Sequence, residues 1–173
     1  MGNEIETPGE TDQTYIEEER ERIHAYMRML DAEMMIGVSV RRESAIRYEV
    51  ENLQQMMSAL VRWEWGETRG GIYKTLATNG FPSPYSLNEQ AARAIEKLTR
   101  RFDADVEALA LAKLNLAEST PNMSRYQLSL TYKSLGDCYA KHDKKPEAVS
   151  AYRKGLDLNE KLPVKRKIKE LEA

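Results

Sequence analysis

Residues 132–158, YKSLGDCYAKHDKKPEAVSAYRKGLDL, decide the fold of this chain. The first half places four residues on one helical face at three- and four-residue spacing: Tyr132, Leu135, Gly136 and Tyr139. The second half repeats this spacing on a second helix: Ala148, Tyr152, Gly155 and Leu156. Between them, Pro146 suits the first turn of a helix, where no backbone donor is needed. We predict a helix hairpin whose two backbones approach closely at Gly136 and Ala148.

This pattern of large, Leu-Gly, Tyr, Ala, aromatic and small residues resembles the tetratricopeptide repeat. The closing position, usually proline, is Glu160, and Pro163 follows three residues later. The resemblance covers Ala108 to Leu162, about a third of the chain. It implies an all-α stack that captures a peptide or helix of another protein in a concave groove.

In such repeats the first helix lines the groove. The resemblance therefore assigns five candidate partner-binding residues to this helix: Leu130, Lys133, Asp137, Ala140 and Lys141. Repeats that grip a C-terminal carboxylate combine Lys with Asn one turn apart, whereas Lys133 here precedes Asp137. The mixed charges favour a partner segment that has mixed charges of its own and an apolar anchor.

One repeat cannot bury its own apolar face, so neighbouring helices are expected. Residues 106–117 are apolar nearly all round, which predicts a helix buried on several sides and capped by Asp105. Ala108 precedes Gly136 by 28 residues, and Ala112 follows one turn later. That spacing resembles the longer repeats of kinesin light chain-like adaptors. The partner helix, residues 86–101, lacks a Leu-Gly pair, and residues 163–172 have the pattern of a capping helix.

The N-terminal half has a different pattern. We predict a disordered acidic tail over residues 1–13 and a helical, coiled-coil-like region over 14–65. Two stripes at three- and four-residue spacing predict an antiparallel hairpin or pairing with another chain. The first comprises Ile16, Ile23, Met27, Leu30 and Met34, and the second comprises Ile46, Val50, Leu53, Met57, Leu60 and Trp63.

Trp63 and Trp65 are two residues apart and cannot share one helical face. We expect one of them to pack, and Trp65 joins the candidate partner-binding residues as a possible exposed anchor. Residues 66–85 contain four glycines and two prolines and predict a junction loop. The tetratricopeptide-like region with its capping helix then spans residues 86–173.

Catalytic and metal-binding patterns are absent from the sequence. The two histidines, His24 and His142, are far apart, and Cys138 is the only cysteine. We therefore predict no enzyme activity, no cofactor and no metal site. Cys138 cannot form an internal disulfide, the first twenty residues are polar and acidic, so we expect no secretory leader, and the sequence contains no apolar run of membrane-spanning length. These features favour a cytoplasmic protein without a membrane partner.

The 26 basic and 28 acidic residues give a net charge of −2, which makes nucleic-acid binding unlikely. The sequence thus predicts an all-α adaptor or scaffold that binds a protein or peptide partner. The alternative is a structural subunit that forms homo-oligomers through its N-terminal helices. Nucleic-acid binding through Arg41, Arg42 and residues 165–167 is a weaker third interpretation.

Overall fold

The computed structural model describes residues 10–64 and 81–173, and these residues form helices and connecting loops without any strand. The predicted all-α class is confirmed. The helices are α1 (Glu10–Ile36), α2 (Val40–Glu64), α3 (Pro84–Arg100), α4 (Ala104–Ser119), α5 (Arg125–Lys141), α6 (Lys145–Leu158) and α7 (Lys165–Glu172). The chain divides into two compact units, residues 1–81 and residues 82–173.

In the first unit, α1 and α2 form an antiparallel hairpin. The connection is only three residues long, and it begins with Gly37 at a φ of +93°, a conformation that favours glycine. Ser39 Oγ then accepts the backbone N–H of Arg42 in the first turn of α2. Ion pairs join the helices at both ends, Arg20 to Glu64 at 2.8 Å and Arg42 to Glu33 at 2.9 Å.

The buried positions of this hairpin follow a seven-residue repeat. One set is Ile16, Ile23 and Leu30 on α1 with Ile46, Leu53 and Leu60 on α2. The second set lies three residues after the first and includes Tyr26, Met56 and Trp63. The predicted Met27, Met34, Val50 and Met57 are only half-buried. Next to Met27 the buried residue is Tyr26, whose hydroxyl concealed the inward-facing position, and next to Met57 it is Met56.

Trp63 is buried and packs against Tyr15, with ring centroids 5.8 Å apart. Trp65 and most of the predicted 66–85 loop lie outside the described residues, as do residues 1–9 of the predicted acidic tail. The described part of α1 begins at Glu10, four residues before the predicted start.

The second unit contains two helix hairpins, α3–α4 and α5–α6, followed by α7. Helix α3 also packs beside α5, and α7 packs beside α6. Ser83 and Ser124 accept backbone N–H groups at the starts of α3 and α5, and Asp103 does so at the start of α4. The prediction that Asp105 caps α4 is wrong, because Asp105 lies inside the first turn and donates its own N–H to Asp103.

Helices α5 and α6 pack tightly at Gly136. A Cβ placed on Gly136 would lie 2.4 Å from ring atoms of Tyr152, so this ring occupies the space beside the glycine. The predicted close approach to Ala148 stays a prediction, and the nearest neighbour of Gly136 is a buried aromatic ring. Ala148, which lies one turn before Tyr152 on α6, is fully buried.

Helix α4 corrects the expected register of the earlier repeat. Ala108 and Ala112 are exposed, whereas Ala110, Leu114 and Ala117 are buried with small, large and small side chains at the spacing of Ala148, Tyr152 and Gly155. The inward face is thus shifted by two residues. Because α4 is apolar on nearly every side, its sequence alone does not reveal which face is buried.

Candidate partner-binding site

The first helices of the two hairpins, α3 and α5, line a shallow groove of about 260 Å³. Tyr85 and Leu130 are exposed to 60 % and 40 % and supply apolar surface on its two sides. The rest of the lining is mostly uncharged and polar: Asn88, Glu89, Ala92, Gln127, Thr131 and Ser134. The only charged member, Glu89, is paired with Arg93 at 2.7 Å. The groove therefore offers apolar contact and hydrogen bonds with little net charge.

A buried amide lies at the base of this groove. Asn88 is 8 % exposed, and the Thr131 hydroxyl donates to its Oδ1 at 2.8 Å. Within the described residues the Asn88 amide nitrogen makes no hydrogen bond, and it is not among their buried, unpaired side-chain atoms, so it is open to solvent. This nitrogen can therefore donate to a carbonyl of a bound segment without first breaking a hydrogen bond within the chain.

A second groove, of about 450 Å³, lies between α5 and α7. Asp137 stands on its wall and accepts from three helices: Lys133 on α5 at 2.9 Å, Tyr152 on α6 at 2.6 Å and Lys167 on α7 at 2.6 Å. Burial tends to raise the pKa of Asp137, but these three hydrogen bonds outweigh it and hold the pKa below its ordinary value. Asp137 therefore ties α7 to the α5–α6 hairpin.

The predicted partner-binding residues divide between the two grooves. Leu130 lines the α3–α5 groove, whereas Asp137, Ala140 and Lys141 line the α5–α7 groove. Lys133 forms an ion pair with Asp137 at 2.9 Å. Lys141 is exposed, and its ammonium group donates to the backbone oxygen of Thr99 at 3.0 Å. The predicted Trp65 lies outside the described residues.

The sequence did not single out Tyr85, Asn88 or Lys167. The first two face the groove only because α3 packs beside α5, and Lys167 belongs to the basic cluster, residues 165–167, that the sequence offered only for nucleic-acid binding. The one signal for Tyr85 in the sequence was a large aromatic residue directly after Pro84.

Three tyrosines bind carboxylates around α5. Tyr132 donates to Glu118 at 2.5 Å and Tyr139 donates to Glu107 at 2.7 Å, both across to α4, while Tyr152 donates to Asp137. Burial, followed by these hydrogen bonds, raises the pKa of each phenol above its ordinary value. The tyrosines thus combine a large apolar ring with a polar tip that needs a partner.

The described residues contain no cluster of His, Cys, Asp and Glu that could hold a metal ion. Cys138 is fully buried, and this burial raises the pKa of its thiol, which disfavours the reactive thiolate. His142 contacts the backbone oxygen of Thr99 at 3.2 Å at the end of α3. Among helices of residues 10–64 and 81–173, none combines the length and apolar character needed to cross a membrane.

The second unit thus carries two grooves that share α5, one formed with α3 and the other with α7. No family model, curated protein or solved structure matches the chain.

Proposed function

We propose that residues 82–173 are a tetratricopeptide-like unit that acts as an adaptor by binding a short segment of another protein. The observation that carries this proposal is the α3–α5 groove, where the exposed Tyr85 and Leu130 flank the unpartnered amide nitrogen of Asn88. An apolar side chain of the partner contacts Tyr85 and Leu130. One backbone carbonyl of the partner accepts the Asn88 N–H.

The charges beyond Leu130 indicate an acidic group in the same partner segment. The single carboxylate of Asp137 is shared by Lys133 and Lys167, and Glu170 is paired with Arg166 at 2.7 Å. Within the described residues, Lys141 has a carbonyl oxygen as its partner. The lining of the α5–α7 groove itself has two acidic and two basic residues, and Lys133 and Arg166 beside it bring the total to four cations around two carboxylates, which complements a carboxylate in the partner. An acidic residue is therefore proposed within the mixed-charge partner segment expected from the sequence.

A displayed peptide library, selected on the unmodified chain, tests the proposal. The selected peptides should combine an apolar anchor with an acidic residue, and Leu130→Asp should weaken their binding by about tenfold or more because it places a charge at the anchor. Val61→Asp is the matched control, since Val61 is 41 % exposed in the other unit. Both positions are exposed, so either change should alter stability by only about 0.5 kcal/mol.

A second pair of variants tests the charge argument. Lys141→Glu should weaken acidic peptides, whereas Lys145→Glu, equally exposed but outside both grooves, should not. Equal binding by L130D and V61D would move the site away from the α3–α5 groove. A selection that yields only basic peptides would contradict the assignment of the partner's charge.

Self-association is a second candidate function, and one observation favours it. The buried apolar residues of α1 and α2 pack against each other within the hairpin. Four large apolar residues nevertheless remain exposed on its surface: Met35, Val40, Tyr48 and Val61. Such surface is available for contact with another chain.

Nucleic-acid binding is less well supported by the charges. Arg42 is held by Glu33 and Glu49, Arg166 by Glu170, and Lys167 by Asp137. Most of the two basic clusters is therefore neutralised locally, and phosphate binding would have to compete with these ion pairs.

A further inference from the structure

The tip of the α1–α2 hairpin is unusually apolar for an exposed turn. Met35 is 88 % exposed and Val40 is 81 % exposed, and they flank the Gly37–Ser39 connection. Two charged residues, both exposed, lie beside them: Asp31 one turn before Met35, and Arg41 directly after Val40. We call these four residues the hairpin tip.

A cleft in the second unit has the complementary character. This α4–α6 cleft is formed by α4 and α6 with α5 beneath them, shares no lining residue with the α3–α5 groove and has a volume of about 440 Å³. Leu111, Leu114, Leu135 and Ala151 are among its apolar lining residues, and Tyr132 and Tyr139 contribute their rings.

The charges at the cleft are arranged like those of the hairpin tip but with opposite signs. Glu147 and Lys154 are exposed on the edge formed by α6, seven residues apart, which corresponds to about 10 Å along a helix. Asp31 and Arg41 stand on two neighbouring antiparallel helices, whose axes are about 8–10 Å apart in typical packing. Arg41 can therefore face Glu147 while Asp31 faces Lys154.

We propose that the hairpin tip of one copy of this chain docks into the α4–α6 cleft of a second copy. Met35 and Val40 enter the apolar cleft, and the two ion pairs orient the tip. Each copy retains one free tip and one free cleft, so the contact is head-to-tail and propagates into open chains or rings. The contact surface is small, which makes the association weak and dependent on concentration. The proposal is independent of peptide binding in the α3–α5 groove.

Sedimentation equilibrium of the unmodified chain, from about 10 µM to 1 mM, is the first test. The mean mass should rise from the 19.9 kDa of one chain to values above a dimer. Met35→Asp with Val40→Asp should abolish this rise. Met35→Leu should retain it, because a leucine still fills the cleft.

Charge exchange provides the sharper test. R41E and E147R should each weaken self-association by about tenfold or more, because each places like charges together. An equimolar mixture of R41E and E147R should restore association, since the reversed tip of one variant then meets the reversed cleft of the other. Both changes are at exposed positions and leave the folded units intact.

A constant mass of one chain over the whole concentration range would overturn the proposal. So would self-association that R41E and E147R leave unchanged, or a mixture of the two variants that remains as dissociated as either alone. L130D, which is predicted to lose peptide binding, should associate like the unmodified chain. The two proposals can therefore fail separately.

Discussion

The α1–α2 hairpin and the α3–α7 unit are both helical, but they use tyrosine–carboxylate bonds and ion pairs in different proportion. In the hairpin, one buried tyrosine, Tyr26, donates to Glu49, and Arg42 bridges Glu33 on α1 and Glu49, which lies two turns further along α2. In the second unit, buried tyrosines donate to carboxylates on neighbouring helices. Partly exposed ion pairs contribute little each, whereas buried rings contribute large apolar surface as well as a hydrogen bond. The two units should therefore respond differently to pH and to substitution.

Alkaline pH should produce the largest difference between the units. The pKa values of Tyr132, Tyr139 and Tyr152 are raised above 10.0, so their contribution to stability is complete below pH 10 and is lost as pH rises through the folded-state pKa values. Above pH 10 the unfolding free energy of residues 82–173 should fall by at most about 1.4 kcal/mol per pH unit for each tyrosine, less where solvent reaches the hydroxyl.

Tyrosinate absorbance and circular dichroism, followed together against pH, provide the measurement. Of the nine tyrosines, a late group that includes Tyr132, Tyr139 and Tyr152 should ionise only as helical signal is lost. A Tyr152→Phe variant should reduce that group by one. Ionisation of all nine near pH 10 with the helices intact would show that the tyrosine–carboxylate bonds are not what distinguishes this unit.

Substitution at Gly136 should have the next largest effect. Gly136→Leu forces side-chain atoms into the ring of Tyr152, which is itself held by Asp137, and should destabilise residues 82–173 by about 1–3 kcal/mol. Ser134→Leu, on an exposed position of the same helix, is the control and should change stability by about 0.5 kcal/mol or less. Equal urea midpoints for both variants would remove the main physical support for the repeat-like crossing.

The Gly136 contact also illustrates how much could be predicted from the sequence. The spacing of Tyr132, Gly136 and Tyr152 predicted the α5–α6 hairpin, because a missing side chain beside large rings limits how two helices can pack. The spacing alone did not decide which neighbouring side chain lies nearest to Gly136, and in the structure this is the ring of Tyr152.

Prediction was weaker where residue types carry less information. In α1 and α2, the predicted apolar stripe included Met27 and Met57, whereas the buried residues are their neighbours Tyr26 and Met56. In α4, apolar residues on every side left the buried face undetermined. Of the candidate site, Leu130 follows from its position on α5, but Tyr85 and Asn88 could not be assigned without knowing that α3 lies beside α5.

Substitution at Arg42 should have the smallest effect of the three. Arg42→Ala leaves Glu33 and Glu49 without their shared cation and should destabilise the α1–α2 hairpin by about 1–2 kcal/mol. Arg47→Ala is the control, because its pair with Glu43 is much more exposed and should contribute about 0.5 kcal/mol or less. Both tryptophans precede residue 82, so tryptophan fluorescence follows this unit. Indistinguishable unfolding of the two variants would mean that Arg42 contributes no more than a surface ion pair.

Amide chemical-shift mapping with a library-selected peptide tests the central claim, that the face formed by the first helices binds a partner segment. Resonances of residues 85–92 and 127–134 should shift together on titration, with further shifts near Lys141 when the peptide carries its acidic residue. Residues 111–115 and 147–154, at the α4–α6 cleft, should remain unchanged at low protein concentration. Shifts confined to that cleft or to α1 and α2, with none between α3 and α5, would contradict the proposed binding site.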